Sequence, residues 1–144
     1  MRIHDILRRK GDSVVTISSA ATLTELVSLL TENRIGAVVV SDTPGEATGI
    51  VSERDVISHL QTAGVTAGDA HVRDLMTAPP VTCRPEDDIE ALARTMTERR
   101  IRHLPVLVDG RLAGMVSIGD VVKQRLDELQ DERDQLVDYV QQGG

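Results

Sequence analysis

Apolar residues recur along this chain in two closely similar cycles. Each opens on a short β-branched run, Val14 to Ile17 and then Val81 to Cys83. After a polar turn the apolar positions take helical spacing: Leu23, Leu26, Val27 and Leu30, then Ile89, Leu92, Ala93 and Met96. Thr22-Leu-Thr-Glu25 has the spacing of a capping box, and Asp87-Asp-Ile-Glu90 plays that part in the second cycle. Next come the runs Ala37 to Val40 and His103 to Val108, continuous enough for strands buried on both faces. Turns follow at Pro44-Gly45 and Asp109-Gly110, the latter with the signature of a tight hairpin. A further strand, Gly49 to Val51 or Ala113 to Val116, runs into a second helix at Ser52 or Ser117. The predicted order is β-α-β-β-α, twice.

The repetition extends to residue identities. Arg34-Ile-Gly-Ala-Val-Val-Val40 aligns with Arg100-Ile-Arg-His-Leu-Pro-Val106 at an offset of 66, and after a one-residue slip Gly49-Ile-Val-Ser52 aligns with Gly114-Met-Val-Ser117. Ile3-His-Asp-Ile-Leu7 resembles Val72-Arg-Asp-Leu-Met76. Two copies are too few for a solenoid. The expected architecture is an α/β (α+β) pseudo-symmetric pair sharing one core. Residues 1–66 form the first repeat, 67–125 the second, and 126–144 a C-terminal helix and tail. In that helix Val122, Leu126, Leu129, Arg133, Leu136 and Val140 step by 4, 3, 4, 3, 4, a heptad-like seam broken at Arg133. So short a helix is marginal alone in water. It is expected to pack on a second subunit, or else to fold back on its own module, with Gly143-Gly144 fraying.

Composition narrows the function. The 144 residues include one Tyr and no Trp or Phe, so the core is aliphatic and aromatic platforms for single-stranded nucleic acid are missing. A net charge of −7 repels nucleic acid and anionic lipid, leaving neither as an expected partner. Local basic spots, Arg8-Arg9-Lys10 and Arg99-Arg100 with Arg102, are still able to hold a phosphate. Cys83 is the single cysteine, which excludes an internal disulfide or a CxxC pair; it reads as a semi-buried structural residue. With no apolar leader and no run of about 18 apolar residues, the expectation is a cytosolic protein. No Ser/His/Asp, Cys/His or paired-carboxylate spacing, Walker loop or GxGxxG is present, and His4, His59 and His71 lack ligand spacing. Neither catalysis nor a metal is expected.

Gly-Ile-Val-Ser-Glu-Arg-Asp55 and Gly-Met-Val-Ser-Ile-Gly-Asp120, each following an Arg-Ile strand at a fixed distance, resemble the cystathionine-β-synthase (CBS) domain. Two in tandem resemble a CBS pair, or Bateman module, over roughly Ile3 to Arg125. The resemblance implies a stand-alone regulatory module that binds AMP, ADP, ATP, NADH or S-adenosylmethionine between its repeats. It also implies a disc-shaped homodimer acting on an effector protein. A constitutive dimeric scaffold without a small ligand is the alternative, and a redox sensor reading NADH is a third.

Under that reading Asp55 and Asp120 accept the ribose diol through charge-assisted bonds, with Ser52 and Ser117 beside them. Gly49 and Gly114 admit a ligand to the backbone. Adenine lies among Ile50, Met115, Val38 and Leu104 against strand backbone groups, with Thr16 and Val81 on the opening strands. Arg102 and His103 are assigned to phosphate in the Asp120 cleft, which is taken as the better site. Arg54 serves the Asp55 cleft, where Gly36 and Ala37 stand in place of Arg-His. Lys10 or Arg9 is the candidate second cation for a longer ligand. Each Ser-x-x-Asp is equally a helix cap.

Overall fold

A computed structural model of the chain describes residues 1–11 and 13–143. The first repeat comprises β1 (Thr16–Ile17), α2 (Leu23–Asn33), β2 (Ala37–Val40), β3 (Gly49–Ser52) and α3 (Glu53–Ala63), preceded by α1 (Ile3–Lys10). A 3₁₀ segment, Gly64–Asp69, leads to the short α4 (Val72–Leu75). The second repeat follows as α5 (Ile89–Arg99), β4 (His103–Val108), β5 (Arg111–Ser117) and α6 (Ile118–Gly143).

In the first sheet β2 lies between β1, parallel, and β3, antiparallel. Val38 to Val40 are fully buried there, as the unbroken apolar run predicts. The second sheet holds only the β4–β5 hairpin. Asp109 and Gly110 both take positive φ (52° and 77°), the geometry of a two-residue hairpin turn. The expected strand Val81 to Cys83 contributes a single parallel bridge, Cys83 to Val106, and is otherwise irregular.

Thr22 and Glu25 form the expected capping box. In the second repeat the cap shifts by one residue: Asp88 accepts from the Ala91 N–H, while Asp87 accepts from the Arg84 N–H in the preceding turn. Leu23, Leu26 and Leu30 are buried on α2, but Val27 is exposed because the covered stripe is narrower than the apolar pattern. Both helices end on an arginine in the left-handed region, Arg34 (φ 53°) and Arg100 (φ 54°).

The leading helices are exchanged. Ile3 and Ile6 of α1 join the core of the second repeat with Leu92, Met96, Leu104 and Val116. Val72 of α4 joins the first with Leu26, Leu30, Val38 and Val51. Backbone bonds repeat the exchange: Ile3 N–H donates to Asp87 O (3.0 Å) and Ile89 N–H to Met1 O (3.1 Å), while Val72 N–H donates to Ala21 O (2.9 Å) and Leu23 N–H to Ala70 O (3.1 Å). Asp5 and Asp74, each three residues past its cap, accept from the N–H of Arg2 and His71. The kinship between residues 3–7 and 72–76 is thus one of structural role.

Two expectations change with this packing. A Cβ on Gly49 would lie 2.8 Å from Thr77 O, and one on Gly114 would lie 2.6 Å from Leu7 Cδ2. These glycines admit the chain's own α4 and α1 segments, not a ligand. Cys83 is buried and its Sγ contacts Pro105 O at 3.6 Å; burial pushes its thiol up to about 12, with Asp87 adding, so it is inert at neutral pH.

α6 opens as the last helix of the second repeat and continues unbroken through Gly143; Gly144 lies outside the described residues. Its first turns are anchored by buried Val121 and Gln124. From Leu129 to Gly143 every residue is exposed, and the seam at Val122, Leu126, Leu129, Leu136 and Val140 is not covered by the described residues. Among the described residues, no helix is long and apolar enough to cross a membrane.

Candidate nucleotide-binding clefts

The two Ser-x-x-Asp turns fold alike. Asp55 Oδ2 accepts from Ser52 N–H (2.8 Å) and Ser52 Oγ (3.1 Å). Asp120 Oδ2 accepts from Ser117 N–H (2.9 Å), and Ser117 Oγ accepts from Asp120 N–H (3.1 Å). Both turns are therefore real caps, and the cap consumes only one carboxylate oxygen. Among the described residues nothing hydrogen-bonds Oδ1 of either aspartate, so each keeps an acceptor with two lone pairs.

Beyond the caps the two sites diverge. Asp55 lines a cleft of about 290 Å³ together with Ser52, Glu53, Arg54, Ile50, Gly36 and Ala37 from the first repeat. The opposite wall is Arg100, Ile101, Arg102 and His103 from the second, with Thr77 between. Arg102 and His103, assigned from the sequence to the Asp120 cleft, thus line the Asp55 cleft. The pseudo-twofold relation sets the strand opening of one repeat against the helix start of the other. His103 lies on the boundary, influenced by Asp120 and Glu53 as well as by Lys10 and Arg102. Burial, then the Lys10 charge, holds its imidazole below the usual histidine value. A Cβ on Gly36 would meet the His103 ring in ordinary contact (3.5 Å to Cε1) and Glu53 Oε1 more tightly (3.2 Å).

Asp120 already has a cation. Lys10 Nζ donates to Asp120 Oδ2 (2.8 Å) and to Met115 O (2.9 Å). Burial would raise the Asp120 carboxyl, but the Lys10 bond and charge and the Ser117 donors outweigh it and hold the carboxyl below its ordinary 3.8. The adjoining cavity is smaller, about 170 Å³, and is lined by Ile6, Arg9, Lys10, Asp120, Lys123 and Gln124. Arg9 is ion-paired with Asp127.

The expected adenine contacts survive in part. Ile50 lines the Asp55 cleft, and Met115 is half-buried at the equivalent place beside Lys10. Val38 and Leu104 are sealed in the two cores and face no cleft. Both backbone groups of Ile50 bond to Thr77 (3.0 and 2.9 Å), so they are not free to read a base. Thr16 is exposed on β1 and Val81 packs against the second core; neither lines either cleft. Sequence reasoning missed Glu53, Ile101 and Thr77. The first two sit inside the recognised motifs, whereas Thr77 arrives only through the exchange of α4.

The profile of the CBS domain matches residues 3–62 and 72–127, so the chain is a member of the CBS domain family with two copies. It is 35% identical to the mitochondrial CBS-domain-containing protein CBSX3 of Arabidopsis thaliana over 98% of this chain and 72% of that protein. The fold superimposes on a CBS-domain protein of Agrobacterium tumefaciens with a TM-score of 0.84 and 40% identity, covering 87% of this chain and 99% of the other. A CBS domain protein of Pyrobaculum aerophilum, solved as a complex with AMP, matches with a TM-score of 0.73 and 28% identity over 83% of this chain and 89% of its own.

Proposed function

We propose that this chain is a regulatory module that binds an adenosine nucleotide in the Asp55 cleft. The observation that carries the reading is the Asp55 carboxylate, with one oxygen still unbonded, across a cleft of about 290 Å³ from Arg102 and His103. Asp55 accepts the ribose hydroxyls, and Arg102 neutralises the first phosphate. Ile50 provides an apolar wall for the base. The AMP complex of the Pyrobaculum relative supports the ligand class. Titration calorimetry with AMP tests it. The expected result is saturable binding that Asp55→Asn weakens at least tenfold while Asp120→Asn changes it little. No binding of AMP, ADP, ATP or NADH at millimolar concentration overturns it.

We further propose that the module works as a homodimer through α6 and acts on a separate effector protein. The uncovered heptad seam supports this, because a helix stabilised by packing needs that face covered. Occupancy alters the effector only if the ligand favours one subunit arrangement. The same seam favours the second reading, a constitutive dimeric scaffold; partner capture that ignores nucleotide would select it.

A further inference from the structure

The Asp55 cleft does not end at its arginines. A second cavity, also about 290 Å³, adjoins it, and Arg54, Arg100, Ile101 and Arg102 line both. The rest of its wall is Met96 and Thr97 of α5 and Ile118 of α6. The carboxylates are unevenly divided: Glu53 and Asp55 line the first cavity and neither lines the second. The second cavity is therefore lined by three arginines and no acid.

None of these three arginines is in an ion pair among the described residues, on a chain whose net charge is −7. Their backbones are fixed. Arg100 is the left-handed cap of α5, its N–H bonded to Met96 O. Arg102 O accepts from Ile118 N–H at 2.8 Å, tying the start of α6 to the same wall. Arg54 lies in the first turn of α3, where the helix end adds partial positive charge. Three guanidinium forks exceed what one phosphate needs, since each fork can engage two phosphate oxygens.

We propose that this second cavity is a phosphate-tail subsite, so that the site takes adenosine ligands carrying two or more phosphates in preference to the monophosphate. The inference rests on the adenosine reading above. A ribose held at Asp55 lies on one side of the arginine wall and the tail passes along it into the acid-free cavity. Asp120 is already paired with Lys10.

The test compares AMP, ADP, ATP and inorganic tripolyphosphate by calorimetry, in EDTA at constant ionic strength. The wild-type chain is expected to bind ATP at least tenfold more tightly than AMP, with ADP between. In the double variant Arg54→Gln/Arg100→Asn that ratio falls to near one; Asn suits the left-handed position of residue 100. Equal or weaker binding of ATP than of AMP to the wild-type chain overturns the proposal, as does an unchanged ratio in the double variant. If no nucleotide binds but tripolyphosphate does, and the double variant abolishes it, the phosphate subsite stands and the adenosine reading falls. If nothing binds, both fall.

Discussion

Lys10 Nζ sits 2.8 Å from Asp120 Oδ2, and the same ammonium reaches Met115 O at 2.9 Å. A residue of the first helix thus pairs with one oxygen of the carboxylate that, by motif, would read a ribose in the second cleft. Among the described residues, the corresponding Asp55 is ion-paired with no cation. Two nearly identical motifs end with different availability.

Lys10→Met keeps the aliphatic stem and removes the charge. Asp120 is then expected to titrate higher, followed by carbon-detected NMR of its carboxyl. The wild-type carboxyl is depressed, so its contribution to stability is present above the unfolded value of 3.8 and lost as pH falls through the folded value. At pH 7 the variant loses no more than about 1 kcal/mol, because the pair is partly exposed. That deficit narrows as pH falls below 3.8 toward the folded value; a deficit that does not narrow on acidification contradicts the assignment. A second nucleotide bound per chain in the variant would show that Lys10 closes the Asp120 cleft.

His103 has the same sign of pH dependence in a higher window and for a different reason. Its folded value lies below the ordinary 6.5 because burial disfavours the cation, so stability falls as pH drops from 6.5 toward the folded value. His103→Gln is expected to remove that decline in urea titrations between pH 5 and 7. A phosphate nearby reverses part of the shift, so nucleotide binding should take up a fraction of a proton near pH 6, seen as buffer-dependent calorimetric heat. No dependence on buffer would place His103 away from the phosphate.

Gly49→Ala and Gly114→Ala look equivalent in the alignment but should not cost the same. At Gly49 the added methyl meets a backbone oxygen that cannot yield; at Gly114 it meets the tip of Leu7, which can rotate. The expectation is about 2–3 kcal/mol for Gly49→Ala and under about 1.5 kcal/mol for Gly114→Ala. Denaturant midpoints decide it, and the reverse order would mean that the α4 segment yields more easily than Leu7.

Leu129 and Leu136 lie on the uncovered seam. The double change Leu129→Lys/Leu136→Lys touches no buried contact, so its effect on the folded module should be within about 0.5 kcal/mol. It is expected to shift sedimentation from dimer toward monomer. An unchanged species distribution would remove α6 from the interface.

Most of the local structure was legible. The bounds of β2 and β4 follow from apolar runs, and Asp109-Gly110 turns where both residues need positive φ. What failed was tertiary. No local pattern tells which core Ile3 enters, and helical spacing does not show that Val27 lies outside the covered stripe. The family resemblance marks Arg102 and His103 as phosphate contacts, and the sequence alone pairs them with the aspartate of their own repeat. The pseudo-twofold contact matches them with Asp55 instead. Gly49 and Gly114 matched a binding motif, but the close approach that requires them comes from Thr77 and Leu7.

The exchanged helices make the two repeats mechanically inseparable. Residues 1–66 carry a helix shaped for the other half and lack the one that closes their own core. Such a half, expressed alone, has an open groove where Val72 belongs and a loose segment bearing Ile3 and Ile6. Mixed with the complementary half it has the pieces for reassembly in trans. The intact chain should therefore unfold in one step, and strain at either cleft is shared by both cores.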